Sequence, residues 1–324
     1  MHKSELPLGM AGNGRLLSNK VGERGGETIS EHRGTFISIL AIVGKVLLAA
    51  LLIVVITVVL SIAAAVIAIV RRPSLEVGIA VVAKDAFFIK AALWAQIIGF
   101  IGGVLIAYAS FERRKGWRLG FHTLHLWRRA GEGLASGAIL ITISCGLIWL
   151  SGGVKLLAWQ WNGTVAKELL WGFVLFIGVA VNEELFARGY LQGLVKMRFG
   201  VVPAITVSTV VFALLHSLNP GMWNSLVPIL NLLLAGLLFG VCREWSGGLW
   251  MPIGMHLSWN FLQGNIYGFD VSGTQTASIA RIEQSGSAVL SGGSFGAEGS
   301  LITSVILLLG IFLLYRYYQR NKIT

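Results

Sequence analysis

Eight stretches of this 324-residue chain are apolar over lengths comparable to the hydrocarbon core of a bilayer, and no other feature restricts its fold so sharply. A helix needs about 20 residues to cross about 30 Å of hydrocarbon. The runs are Phe36 to Val70, Ala86 to Ser110, Gly133 to Leu150, Leu169 into the Leu190s, Val201 to Leu218, Leu226 to Cys242, Leu249 to Tyr267 and Leu301 to Tyr315. In lipid every backbone polar group must be satisfied within the chain, and helices do this segment by segment. The expected fold is therefore all-α, a polytopic transmembrane helical bundle of about eight spans. With 55% hydrophobic and 13% charged residues, the chain has too little polar surface to coat a water-soluble globule.

The formal net charge is +11, from 26 Lys and Arg against 15 Asp and Glu. The basic residues flank the apolar runs and are not interleaved with aromatics in a binding module, so nucleic acid is not an expected partner. If the N-terminus is cytoplasmic, alternation of the eight spans puts 17 Lys and Arg on that side and 6 on the other. This bias predicts both termini inside a multi-pass protein of the bacterial cytoplasmic membrane. Residues 1–35 are polar and Gly-rich and read as a flexible cytoplasmic tail, with the first apolar run too late for a cleaved signal peptide. Transmembrane helices then fill 36–165 and a catalytic helical core 166–265. A Gly- and Ser-rich extracytoplasmic loop, expected to be mobile, occupies 266–300, and the last span with a basic tail 301–324.

Several polar or reactive residues within this frame carry no expected chemistry. Cys145 and Cys242 lie in apolar segments and read as small packing residues. The stretch Trp117 to Trp127, which includes His122 and His125, reads as a segment in the headgroup region. Lys45 and Lys90 sit near helix ends, from which they can snorkel to the interface.

The fourth span is different. It contains Glu183, Glu184 and Arg188 in an otherwise apolar helix, and each ionised group costs about 2.5 to 3.5 kcal/mol at the centre of a membrane helix. Glu184 and Arg188 are four residues apart and share one face, so they can pair. Glu183 is turned about 100° away and has no cation on its own helix, which leaves it free to act as a general base. The fifth span carries His216 and the seventh His256 and Asn260, again four apart. A rise of about 1.5 Å per residue puts Glu183, His216 and His256 all within the bilayer interior. One such group alone reads as a helix–helix contact. Six at overlapping depth read as one functional site.

At these residues the sequence resembles the family of type II CAAX prenyl proteases and bacteriocin-processing enzymes, also called the CPBP or Abi family. The motifs stand here as Glu183-Glu184-x-x-x-Arg188, Phe212-x-x-x-His216 and His256-x-x-x-Asn260, with Gly189, Asn219-Pro220 and Leu249-Trp250-Met251-Pro252 as matching flanks. The resemblance covers about Leu170 to Gly264. It implies an intramembrane endopeptidase with a hydrophilic catalytic cavity inside the helical bundle. It further implies that Glu183 with His216 activates a water and that His256 with Asn260 stabilises the oxyanion. The expected partners are membrane lipid and a membrane-associated peptide or protein substrate.

Two mechanisms are compatible with these residues. Family members are also described as metalloproteases, and Glu with two His can supply three zinc ligands and leave a fourth position open. The His-Glu-x-x-His zinc helix is absent, which favours a Glu-dependent, metal-free route with no cofactor. A non-catalytic scaffold or bacteriocin self-immunity protein using the same cavity is the alternative function. A proton-coupled transporter finds no support, since no internal repeat is visible.

Overall fold

The computed structural model describes residues 16–71, 78–122 and 125–320 of the chain. Two compact units are present, Met1–Lys45 and Val46–Thr324. The first, as far as it is described, is the N-terminal part of helix α1 (Leu16–Val70). The helical backbone thus reaches back to Leu16, into the segment expected to be a flexible tail. Once an apolar run has nucleated a helix, each added residue gains a hydrogen bond at little further cost. Residues 1–15 of that expectation lie outside the described residues.

The second unit continues through α2 (Ile79–Ala83), α3 (Ala86–Phe111), α4 (Leu126–Leu150), strand β1 (Val154–Trp159), α5 (Gly163–Glu184), α6 (Gln192–Phe199), α7 (Val201–Leu215), α8 (Leu226–Ser246) and α9 (Trp250–Phe261). Strand β2 (Ala280–Gln284), α10 (Ala288–Ser291) and α11 (Leu301–Arg320) complete it. A π-helical stretch, Leu185–Leu191, joins α5 to α6, and another, Leu262–Ile266, extends α9. Among the described residues six helices are long and apolar enough to cross a membrane: Gly34–Val70, Ala86–Phe111, Leu126–Leu150, Gly163–Phe199, Leu226–Ser246 and Leu301–Arg320. Their outward faces expose apolar side chains, among them Ile98, Leu147, Leu308 and Leu313. An integral membrane protein is the consistent reading, because such a surface has lipid as its natural solvent.

All eight expected helices are present, but two are shorter than a full span. The fifth, α7, has 15 residues and the seventh, α9, has 12, or about 22 and about 18 Å of rise. Their shortness has a visible consequence. Beyond the end of α7 the chain turns back, and the space there is closed by the segment after α9, whose Gly- and Ser-rich composition predicts a mobile loop.

That segment is folded. Strand β2 pairs antiparallel with β1, Val154 opposite Gln284 and Trp159 opposite Ala280, a small sheet that the all-α expectation omitted. Phe295, Ala297, Ser291 and Ser300 are buried. The glycines taken as a sign of mobility allow close packing instead. Gly296 has a φ of 88°, and a Cβ there would stand 1.8 Å from the carbonyl oxygen of Asp270. Side-chain amides from the bundle hold the segment's backbone. Asn219 donates to Ser272 O at 3.0 Å, Asn231 to Glu298 O and Ser300 O at 2.7 and 2.8 Å, and Gln263 to Asp270 O at 2.6 Å.

Helix α9 lies against α4 at a distance that only glycine permits. A Cβ on Gly133 would come 2.1 Å from Met251 O, one on Gly137 2.3 Å from Met255 O, and one on Gly254 2.5 Å from Ala130 O. Small residues four apart are the usual device for close helix contact in lipid. Here they set the position of His256, next to Met255. In the stretch from Trp117, Trp117 and Leu119 are buried against the bundle, and Gly120 O accepts the Leu249 N–H at 2.9 Å, so this segment caps the start of α9. Lys90 does not simply reach for water: its Nζ donates to both oxygens of Glu168, at 2.8 and 3.0 Å.

Candidate functional site

The six residues singled out by the sequence converge on one place. Glu183, His216, His256 and Asn260 line a single cavity of about 330 Å³ between α3, α5, α7, α8 and α9. Glu184 and Arg188 lie behind it, both with 0% side-chain exposure. The expected ion pair is formed, with Arg188 Nη1 donating to Glu184 Oε1 at 2.9 Å.

Helix α8, which carries none of the three motifs, completes this pair. Arg188 Nη2 donates to Gly236 O at 3.1 Å. The guanidinium stands 4.1 Å from the Phe212 ring centroid and 5.1 Å from that of Phe239. A cation held between two aromatic faces away from water keeps both its charge and its orientation. The His256 ring is stacked on Phe239, with centroids 5.1 Å apart and planes inclined by 19°. Phe239 was missed in the sequence because nothing in its spacing marks it, and only the packing of α8 against α9 brings it beneath the histidine.

Glu184 has a second partner that the i, i+4 pattern does not reveal. His256 Nδ1 lies 3.0 Å from the same Oε1 that Arg188 engages. A carboxylate oxygen accepts, so Nδ1 carries the proton and Nε2 faces the cavity. There His256 Nε2 is 3.9 Å from Glu183 Oε2, and His216 Nε2 is 3.8 Å from the same oxygen. Glu183 Oε2 itself has no hydrogen-bond partner.

His216 is not inside a helix, as expected, but is the residue that caps α7. Its Nδ1 lies 2.9 Å from Phe212 O, and since a carbonyl only accepts, Nδ1–H donates. With Nδ1 held by that carbonyl, Nε2 is the ring nitrogen that faces Glu183. Asn260 lies one turn beyond His256 on α9, buried, with its side chain lining the same cavity. The arrangement thus has a carboxylate and a basic nitrogen on one side, and an imidazole and an amide on the other.

A metal would have to be held by Glu183 and the two histidines. Among the described residues no three His, Cys, Asp or Glu side chains are placed to hold one together.

The cavity is longer than the catalytic cluster. Glu168, Trp171, Gly172, Leu175, Phe176, Val179 and Glu183 line it from α5, a stripe of about four turns or about 22 Å. The Lys90–Glu168 pair marks one end and Glu183 the other. The folded segment after α9 lines the cavity with Ser272 and with Thr274 to Ala277.

Residues 165–262 match the family described as type II CAAX prenyl endopeptidase Rce1-like. The matched segment contains all six site residues. Neither a curated protein nor a solved structure matches the chain.

Proposed function

We propose, from the premise that residues 165–262 belong to the type II CAAX prenyl endopeptidase Rce1-like family, that the chain is an intramembrane endopeptidase whose water is activated by Glu183 and His216. The observation that carries this is the unpartnered Glu183 Oε2, 3.8 Å from His216 Nε2, on the wall of a cavity inside the bundle. A water bound to both atoms gives up a proton to Glu183 as it attacks the peptide carbonyl carbon. His256 Nε2 and the Asn260 amide donate to the tetrahedral oxygen, and the proton taken by Glu183 passes to the departing amine. In this role His256 is the imidazolium, flanked by Glu184 Oε1 at 3.0 Å and Glu183 Oε2 at 3.9 Å. Glu184 and Arg188 do not touch the substrate: they position the ring.

The substrate class is a membrane-associated peptide or protein that reaches the cavity from the lipid side. The Lys- and Arg-rich ends of the spans face the cytoplasm of a bacterial cell. Cleavage of a membrane-tethered fluorogenic peptide by purified protein in detergent tests the reading. Glu183→Gln and His216→Ala each lower turnover by at least about a hundredfold, the scale of general base catalysis, while the protein remains folded. Undiminished turnover in both variants sinks the proposal.

A further inference from the structure

Beyond the matched segment, three residues past its end, stands Asn265. It lines the cavity that holds Glu183, His216, His256 and Asn260, yet it is 1% exposed. Its Nδ2 donates to Ala277 O at 2.7 Å, which settles the orientation of the amide, since only the NH2 end can face a carbonyl. Its Oδ1 has no partner. Buried carbonyl oxygens are nearly always satisfied, and one left open on a cavity wall calls for an occupant that brings a donor.

The backbone is shaped to put it there. The π-helical stretch Leu262–Ile266 begins just after Phe261, and such widened turns recur at functional sites. Across it Asn265 is displaced from Asn260 by about 6 to 7 Å along the axis. An extended peptide advances about 3.3 Å per residue, so Asn265 stands about two residues along a substrate strand from the oxyanion donors. On the α5 side the amide packs directly against Gly172, where only a glycine leaves it room. At Gly172 a Cβ would come 2.6 Å from Asn265 Oδ1. A second open group is adjacent: Thr276, which precedes the residue that Asn265 holds, also lines the cavity, and its buried Oγ1 has no partner.

We infer that Asn265, with Thr276, is a substrate-binding subsite whose ligand is a backbone N–H of an extended peptide about two residues from the cleaved bond. Open acceptors of this kind select a donor, and the regularly spaced N–H groups of an unfolded chain supply one whatever its side chains. The site would therefore fix the register of the peptide over Glu183 without reading its sequence. This inference rests on the endopeptidase reading.

The test uses the full chain in detergent and a set of membrane-tethered fluorogenic peptides in which one amide N–H at a time is replaced by an ester oxygen. With the unaltered protein, one ester position about two residues from the cut lowers kcat/KM about tenfold, the worth of a single buried hydrogen bond. In Asn265→Ala the all-amide peptide is cleaved about tenfold less efficiently, and the ester at that position costs no more than about twofold further. Gly172→Ala, whose added methyl meets the Asn265 amide and displaces it, and Thr276→Val reproduce part of the loss. They keep the inference testable if Asn265→Ala fails to fold. An ester penalty of unchanged size in the variants overturns the subsite, as does its absence from every position with the unaltered protein. If the all-amide peptide is not cleaved at all, or is cleaved equally after Glu183→Gln, the endopeptidase reading fails and the subsite with it.

Discussion

Replacing Arg188 by Met is expected to be among the most damaging single changes in this protein, and the structure allows its size to be set. The guanidinium is fully buried, donates to Glu184 and to Gly236 O, and lies between Phe212 and Phe239. Met fills much of the volume, so a cavity term contributes little. What remains is a buried Glu184 carboxylate without its cation, and breaking such a pair costs about 3 to 5 kcal/mol. The lost second hydrogen bond to Gly236 O, whose carbonyl stays bonded within α8, adds at most about 1 kcal/mol. Restoring neutrality should recover most of this. In Glu184→Gln/Arg188→Met neither member of the buried pair is left charged, and the Gln carbonyl can still accept from His256 Nδ1. The double variant is therefore expected to be at least about 2 kcal/mol more stable than Arg188→Met alone. Reversible unfolding in mixed micelles, followed by tryptophan fluorescence, measures all four corners of the cycle. A Met variant as stable as the unaltered protein, or a double variant no better than the single one, refutes the view that Arg188 serves chiefly to neutralise Glu184.

Two further outcomes follow from the packing. Gly137→Ala places a methyl group 2.3 Å from Met255 O, a backbone atom that cannot rotate away. It should cost about 1 to 3 kcal/mol and lower turnover by shifting His256, whereas Gly131→Ala on the same helix, with open space around its Cβ position, should do neither. A pH effect is expected at Asp270, whose carboxyl is raised above its ordinary value of 3.8 by burial in the folded segment. A raised carboxyl favours the protonated form in the fold, so the charge detracts from stability as pH rises through the folded value. Asp270→Asn should then raise the thermal midpoint at neutral pH, and the gain should vanish at pH values below about 3.8. A gain that persists unchanged in acid contradicts this.

Much of the molecule could be read from residue order because the physics involved is local. Apolar runs of membrane length must be helices, since no other conformation satisfies its own backbone in lipid. The offset of four between Glu184 and Arg188 and between His256 and Asn260 puts each pair on one face, and a helix cannot arrange them otherwise. The resemblance on three motifs held for the segment later matched. What went astray was also local in origin: Gly and Ser after α9 were read by their freedom in isolation, when their lack of bulk is what lets that segment pack.

The features decided only by tertiary structure are those in which distant segments meet. No spacing foretells that His256 shares an oxygen of Glu184 with Arg188, because these residues belong to helices 72 positions apart in sequence. Phe239 reaches Arg188 and His256 only through the packing of α8, a helix without a motif. The unsatisfied Asn265 carbonyl is visible only once the amide's other end is seen bound to Ala277. The sequence by itself determined which groups would be costly to bury and so which needed partners. Which partner each group found depended on how the glycines of α4, α8 and α9 let the helices approach, a sum of contacts that no single stretch of chain contains.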